Sequence, residues 1–420
     1  MQKYAHREEY KSLMDNERIE NDKKTILVFT LMNFVLSMTA FLFSGILDKV
    51  AASLNVPVAS AGMLNSMHSY GSAIGVPLTL ILFRKFSRAR MLKIMLALSI
   101  LVNILLVTAS GFGILLALRF LSGVSINSYG VLATATVIAM TKREHLGRSL
   151  ALLIAGNSLA LVVGIPFTRA ISDLADWRVI FWALIAIMAL CLTYFQVKLK
   201  EKQQDHPRLN LRLELRLLVN PRIYLIFLFT FIMFMGYHGV YNYVTPFLLH
   251  LFPHAEARMS LYLVFFGLGS FLGNYLGGRV SDRIGYARST LLGAVAQALM
   301  VFLMLFMRNS LWVMVILISL WVMSSWFMGL QLNSGVAQET NNQSNFLLSL
   351  TGSAIQLGSA VGTSIVAVWI SAGHMNELPW FALLSALAVT LLQIFSIKRH
   401  HSVKENQSDS QAHEPPNKFV

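Results

Sequence analysis

The sequence has one cysteine, Cys191, set in an apolar run. That excludes an intrachain disulfide and any cysteine metal cluster. Charge is scarce too: Asp, Glu, Lys and Arg make up 13% of the chain, against about 25% in a soluble protein. A Walker loop, an HExxH zinc site and a GxSxG nucleophile turn are all missing. The glycine run 267–273 imitates a dinucleotide fingerprint, but it lies inside an apolar stretch, the wrong context for that fold. The sequence therefore offers no enzyme chemistry, no metal ligands and no cofactor site.

Acid is the most informative lack. Fifteen carboxylates fall in polar segments on one side of the apolar runs, and Asp48, Asp173, Asp176, Glu256 and Glu377 lie at the edges on the other. None is at mid-membrane depth, so a permanent cation would find no fixed counter-charge there. A neutral or anionic solute suits the chain better.

What is abundant is apolar. The chain is 55% hydrophobic with a mean hydropathy of +0.60, the composition of an all-α polytopic membrane protein. Spans need about 20 apolar residues each, and twelve are read: 25–47, 60–83, 91–109, 112–140, 147–171, 177–197, 222–248, 259–278, 289–307, 311–332, 346–371 and 379–397. The first is too long for a signal-peptide core and reads as an uncleaved span. The organisation is an N-terminal tail (1–24), a six-helix bundle (25–197), a central loop (198–221), a second six-helix bundle (222–397) and a C-terminal tail (398–420). The central loop alternates Leu209, Leu211, Leu213 and Leu215 with Arg212, Glu214 and Arg216, a pattern shared by interfacial helices and plain linkers. From Ser402 the polar tail reads as disordered.

The net charge of +14 would suggest nucleic acid in a soluble chain, but here it follows topology. Lys and Arg divide 28 to 5 between the two sides, with Arg119 left over. The positive-inside rule then puts both termini and the central loop in the cytoplasm. A shift of 198 residues superposes Gly71 on Gly269, Gly75 on Gly273 and Gly164 on Gly362, and Arg84 on Asp282. This internal duplication, two sixes around a basic loop, is the architecture of a secondary transporter.

Arg119 is the sole Lys or Arg well inside a span. A buried guanidinium costs at least about 2.5–3.5 kcal/mol on insertion scales, so it needs a partner, a wet cavity or a route to the surface by snorkelling. Asp48 is the carboxylate near enough to pair with it, unless that residue is a solvated helix end. His68 and His238 are either proton relays or neutral donors between helices. On the seventh span Tyr237 and Tyr241 share a face one turn apart and, with His238, read as cavity lining, while Pro246 ends or kinks that helix. Asn33, Asn127 and Gln331 are further polar residues at membrane depth. Gly156, Gly164 and Pro166 on the fifth span, with Gly358 and Gly362 on the eleventh, suit close helix packing.

These features resemble the major facilitator superfamily across 25–397. Gly278-x-x-x-Asp282-Arg283-x-Gly285 is similar to its cytoplasmic signature, Arg119-x-x-x-Gly123 to its fourth-helix signature, and Gly156…Gly164-x-Pro166 to the fifth-helix antiporter signature, although Phe167-Thr168-Arg169 replaces the usual glycines. Trp177-Arg178-x-x-Phe181 and Tyr241-x-Tyr243-x-x-Pro246 resemble the drug:proton antiporters with an arabinose-efflux-permease-like pattern. The resemblance implies alternating access around a central site lined mainly by the first, fourth, seventh and tenth helices. It implies coupling through Arg119, and a cytoplasmic latch in which Asp282 faces the N-terminus of the fifth helix near Gly147 and Arg148. Arg84 stands where the family usually has an acid, so Glu339 is expected to compensate it. The expected function is proton-coupled efflux of a small neutral or anionic compound by a monomer in a bacterial cell membrane, with the proton gradient as energy source, no cofactor and no nucleic acid. A nutrient symporter and a non-transporting sensor are the alternatives.

Overall fold

The computed structural model describes residues 2–82, 86–199, 220–339 and 345–412, with only the helical backbone described before 23 and after 395. Among the described residues twelve long helices make the bundle: α1 (Gln2–Gly45), α2 (Val58–Leu82), α3 (Arg88–Thr108), α4 (Phe112–Met140), α5 (Leu146–Ser172) and α6 (Arg178–Lys198), then α7 (Pro221–Tyr241), α8 (Met259–Ile284), α9 (Tyr286–Phe306), α10 (Leu311–Glu339), α11 (Asn345–Ser371) and α12 (Leu378–Ala412). Eleven carry a stretch apolar enough to cross a membrane. The exception is α2, whose 25 residues reach about 37 Å at 1.5 Å per residue. Its polarity comes from Asn65, His68, Ser69 and Ser72, all buried. The helix of α12 runs on to Ala412, past the Ser402 boundary expected from the sequence, because no proline or glycine interrupts it before then. The central-loop residues 200–219 and Arg84 lie outside the described residues, so the amphipathic pattern and the Arg84–Glu339 pairing have no structural counterpart here.

The apolar residues gather into two cores, one drawn from 29–195 and the other chiefly from 223–389. The duplication is visible in how glycines seat the helices. A Cβ on Gly71 or Gly75 of α2 would strike α4 at Phe120 or Val124, and one on Gly269 or Gly273 of α8 would strike α10 at Ser319 or Met323. Gly156 and Gly164 admit α1 in the same way that Gly358 and Gly362 admit α7. Small residues let membrane helices approach closely where no hydrophobic force drives them together.

The halves meet along two seams, α2 with α11 and α5 with α8. The first is the more extensive contact. In the second, α8 packs on the 160–172 part of α5 and only glances the 146–159 part, leaving a wedge toward the Asp282 end. At the contact, α5 widens into a π turn, Ala160–Gly164, just before Pro166, and Gly267 fits against Leu161 and Val162. A π turn absorbs one extra residue and marks functional positions in many helices. The seventh span breaks at Asn242–Tyr243 and resumes as Val244–Leu251. Pro246 explains the break: its ring clashes with the carbonyl four residues back, at Asn242, and it has no N–H to donate there, whereas it fits the first turn of the resumed helix.

Candidate functional site

Between the halves lies a cavity of about 180 Å³. The helix α1 lines it with Asn33, Ser37, Phe41 and Ser44, α2 with Asn65, His68 and Ser69, α4 with Ile126 and Asn127, and α5 with Asn157. The second half contributes His238 and Asn242 from the seventh span and Gln356 and Ser359 from α11. Among its described residues the tenth helix contributes nothing, contrary to the lining expected from the resemblance. Its place is taken by α2 and α11, which pack on each other across the halves. Among the described residues amides and hydroxyls dominate the wall, no carboxylate lines it, and its titratable side chains are the two histidines.

These polar groups are tied across the halves. Gln356 donates to Asn127 at 3.3 Å, and Asn127 donates to Ser72 at 2.6 Å. Ser69 and Ser359 share a hydrogen bond at 3.1 Å. Ser44 donates to Asn242 at 2.8 Å, and Asn242 passes the chain on to Thr363, also at 2.8 Å. Asn33 is anchored to the Leu153 carbonyl of α5 at 2.7 Å. Both ring nitrogens of His68 have no hydrogen-bond partner although the residue is buried, so an occupant of the cavity meets an unclaimed donor and acceptor.

Arg119 is fully buried and does not snorkel. Its guanidinium donates to the carbonyls of Leu64 (3.2 Å), Thr39 and Ala40 (both 3.1 Å) and lies 4.8 Å from the Phe43 ring. Phe43 packs in turn on Trp177 and Phe181, so that part of the family-like pattern is core. Asp48 does not pair with Arg119, and it is not a solvated helix end. It pairs with Arg169, whose Nη1 donates to it at the shortest separation of the charge cluster, 2.6 Å.

Three further sequence expectations are corrected. Tyr237 and Tyr241 stack on each other and meet Trp321 edge-on and tilted, respectively, inside the second core, and Trp326 donates to the Tyr237 hydroxyl at 3.0 Å. Their face of the helix turns to α10, while His238 and Asn242 turn to the cavity. Gln331 ties α10 to α8 by donating to the Gly277 carbonyl at 2.7 Å and is not among the described residues that line the cavity. The Asp282 latch is not made: Asp282, Arg283 and Arg148 are all exposed, and among the described residues none of them has an ion pair. The Gly278–Ile284 part of the signature forms the last turns of α8, and Gly285 ends the helix at φ +80°, where only glycine fits without strain. Glu339 accepts from the Tyr286 hydroxyl at 3.2 Å. Gly123 abuts the His68 carbonyl of α2.

The opposite end is closed. Lys49 Nζ lies 2.9 Å from Glu256 and 3.1 Å from Asp173, and the Glu256 hydrogen bond holds the Lys49 ammonium protonated to a higher pH than an ordinary lysine. Tyr243 fills the space left by Gly62 and donates to the Ala59 carbonyl at 3.1 Å. Sequence reasoning missed Ser44, Ser69, Ser359 and the role of Arg169. The 198-residue offset was the signal for the pair Ser44 and Asn242.

A chain of this shape is found elsewhere. The crystal structure of a single-substitution mutant of the nucleoside transporter NupG shares the fold with a TM-score of 0.70 at 12% sequence identity, covering 89% of this chain and 99% of that one. The xylose transporter XylE from E. coli, in a partially occluded inward-open conformation, does so with a TM-score of 0.68 at 14% identity, covering 89% of this chain and 97% of that one. Among curated proteins, the uncharacterized MFS-type transporter YbcL of Bacillus subtilis is 25% identical over 386 residues, 90% of this chain and 98% of its own. A protein of Helicobacter pylori named "probable sugar efflux transporter" is 26% identical over 377 residues, 89% of this chain and 95% of its own. The model of the Major Facilitator Superfamily matches residues 29–363. With its twelve-helix bundle, paired glycine seams and central polar cavity, the chain belongs to the major facilitator superfamily, a family of multi-pass membrane transporters and not of enzymes.

Proposed function

We propose that this transporter exports a small neutral, hydroxyl-rich solute, a sugar or polyol, in exchange for protons. The observation that carries the reading is the cavity wall, made of amides, hydroxyls and two histidines with no carboxylate. Such a wall matches the donors and acceptors of a polyol, whereas a cation would be desolvated without compensation. Its volume of about 180 Å³ exceeds many times the ~10–15 Å³ that a single water needs. The name of the Helicobacter pylori relative supports a sugar and an outward direction.

Protons exchanged in the cavity pass through His68 or His238, the titratable groups of its wall. Arg119 serves this route as a fixed charge that holds α1, α2 and α4 in register through three carbonyls. With both termini cytoplasmic, the wedge beside Asp282 faces the cytoplasm and the Lys49–Glu256 end faces outward. The structure then corresponds to the solute-loading state.

Labelled pentoses, hexoses and polyols offered to everted membrane vesicles test the reading. One of them should accumulate when the vesicle interior is acid and leak away when a protonophore is added. Movement indifferent to the gradient would remove the coupling, and accumulation in intact cells would reverse the direction.

A further inference from the structure

Five charged side chains meet at the closed end: Asp48 and Lys49 on the short helix Leu47–Ser53, Arg169 and Asp173 at the end of α5, and Glu256 in the segment before α8. Four come from the first half and one from the second. Arg169 is fully buried, and Glu256 is the most exposed, at 57% of its side chain. Within the first half Arg169 binds Asp48 and reaches Asp173 at 3.7 Å. Across the halves, Glu256 is held by Lys49 at 2.9 Å and lies 3.8 Å from Arg169.

Charge balance shows what parting the halves would do. Closed, the cluster has three carboxylates and two cations. Once Glu256 leaves, two of each remain, and Lys49 still has Asp173 at 3.1 Å. We infer that this cluster is the outer gate of the transport cycle, with Lys49 as its moving part. Lys49 is shared by Glu256 and Asp173 while the gate is shut and left to Asp173 when it opens. Arg169 is a positioning residue that keeps Asp48 and Asp173 in place throughout. Because the cluster contacts that must break involve an exposed carboxylate, the gate opens at small cost, whereas the buried Arg169–Asp48 pair never has to part.

The two carboxylates that share Lys49 should act with opposite sign, which a merely structural ion pair would not produce. The test uses the full chain with Cys191→Ser and a reporter, Ser37→Cys, on the cavity wall. A membrane-impermeant maleimide is applied to right-side-out and to everted vesicles, and labelling is normalised to that of the denatured protein. In right-side-out vesicles Glu256→Gln should speed labelling about two- to five-fold and Asp173→Asn should slow it by a similar factor, the range expected of exposed ion pairs. The same opposed pattern in everted vesicles would keep the gate and overturn the orientation proposed above. Both substitutions speeding labelling, or neither changing it in either preparation, would overturn the gate.

Discussion

Ser44 and Asn242 occupy the same position of the two repeats, 198 residues apart, and hydrogen-bond to each other at 2.8 Å. Each sits where its helix gives way: α1 ends at Gly45, and the seventh span breaks at Asn242. The bond therefore crosses the pseudo-symmetry axis at the roof of the cavity, beneath the charge cluster. Opening that end must break it.

A disulfide in its place should lock the roof. Ser44→Cys with Asn242→Cys, in a Cys191→Ser background, is expected to oxidise readily and to abolish outer labelling of a cavity cysteine, with recovery on reduction. Labelling that continues through the oxidised protein would show that the roof is not on the solute's path.

Arg119→Lys separates charge from geometry. Lysine keeps the charge but cannot reach the carbonyls of Thr39, Ala40 and Leu64 with one planar fork. Hydrogen bonds to charged groups contribute about 1.5–3 kcal/mol each, so the variant should melt several degrees lower in detergent and lose gradient-driven exchange. Full exchange by the lysine variant would mean that charge alone suffices.

Gly123→Ala tests the α2–α4 seam. The added methyl would meet the backbone of His68 and Ser72, which cannot swing aside. Overpacking of this kind costs about 1–3 kcal/mol. A thermal unfolding curve should shift down accordingly, whereas Gly113→Ala, with open space around it, should leave the curve in place.

Asp282→Asn should act on the state that is not seen here. If Asp282 caps α5 only when its own end closes, it contributes about 0.3–1 kcal/mol there. Its loss should reduce the outward-open population about two- to five-fold, read as slower outer labelling of the cavity. Faster labelling would mean that Asp282 favours the present state.

The helices were legible because a bilayer demands long apolar runs, and the duplication because glycine spacing survives in both halves. The run 60–83 reads as a span on the same apolar criterion, and α2 is a helix there, although Asn65, His68 and Ser69 weaken its apolarity. The direction of each side chain was less legible. Tyr237, His238 and Tyr241 lie on one short stretch, yet the tyrosines turn to Trp321 and the histidine to the cavity. A modest rotation of the helix decides that, and hydropathy does not record it. Arg169 was hidden for another reason. Its partner Asp48 is 121 residues away, and near a span end a buried arginine looks like a solvated one. The Asp282 signature is legible as a motif, but a latch is a property of one conformation, and in this structure Asp282 is exposed without an ion pair among the described residues.

The central claim is that a neutral polyol exchanges for protons through a histidine-bearing, acid-free cavity. It is tested most directly by watching an imposed pH gradient collapse in everted vesicles when solutes are added one at a time. The account predicts that a sugar or polyol collapses the gradient with the wild-type chain and fails to do so when His68 and His238 are both replaced by glutamine, a neutral side chain that still donates and accepts hydrogen bonds. Collapse by organic cations alone, or undiminished collapse by the doubly substituted chain, would contradict it.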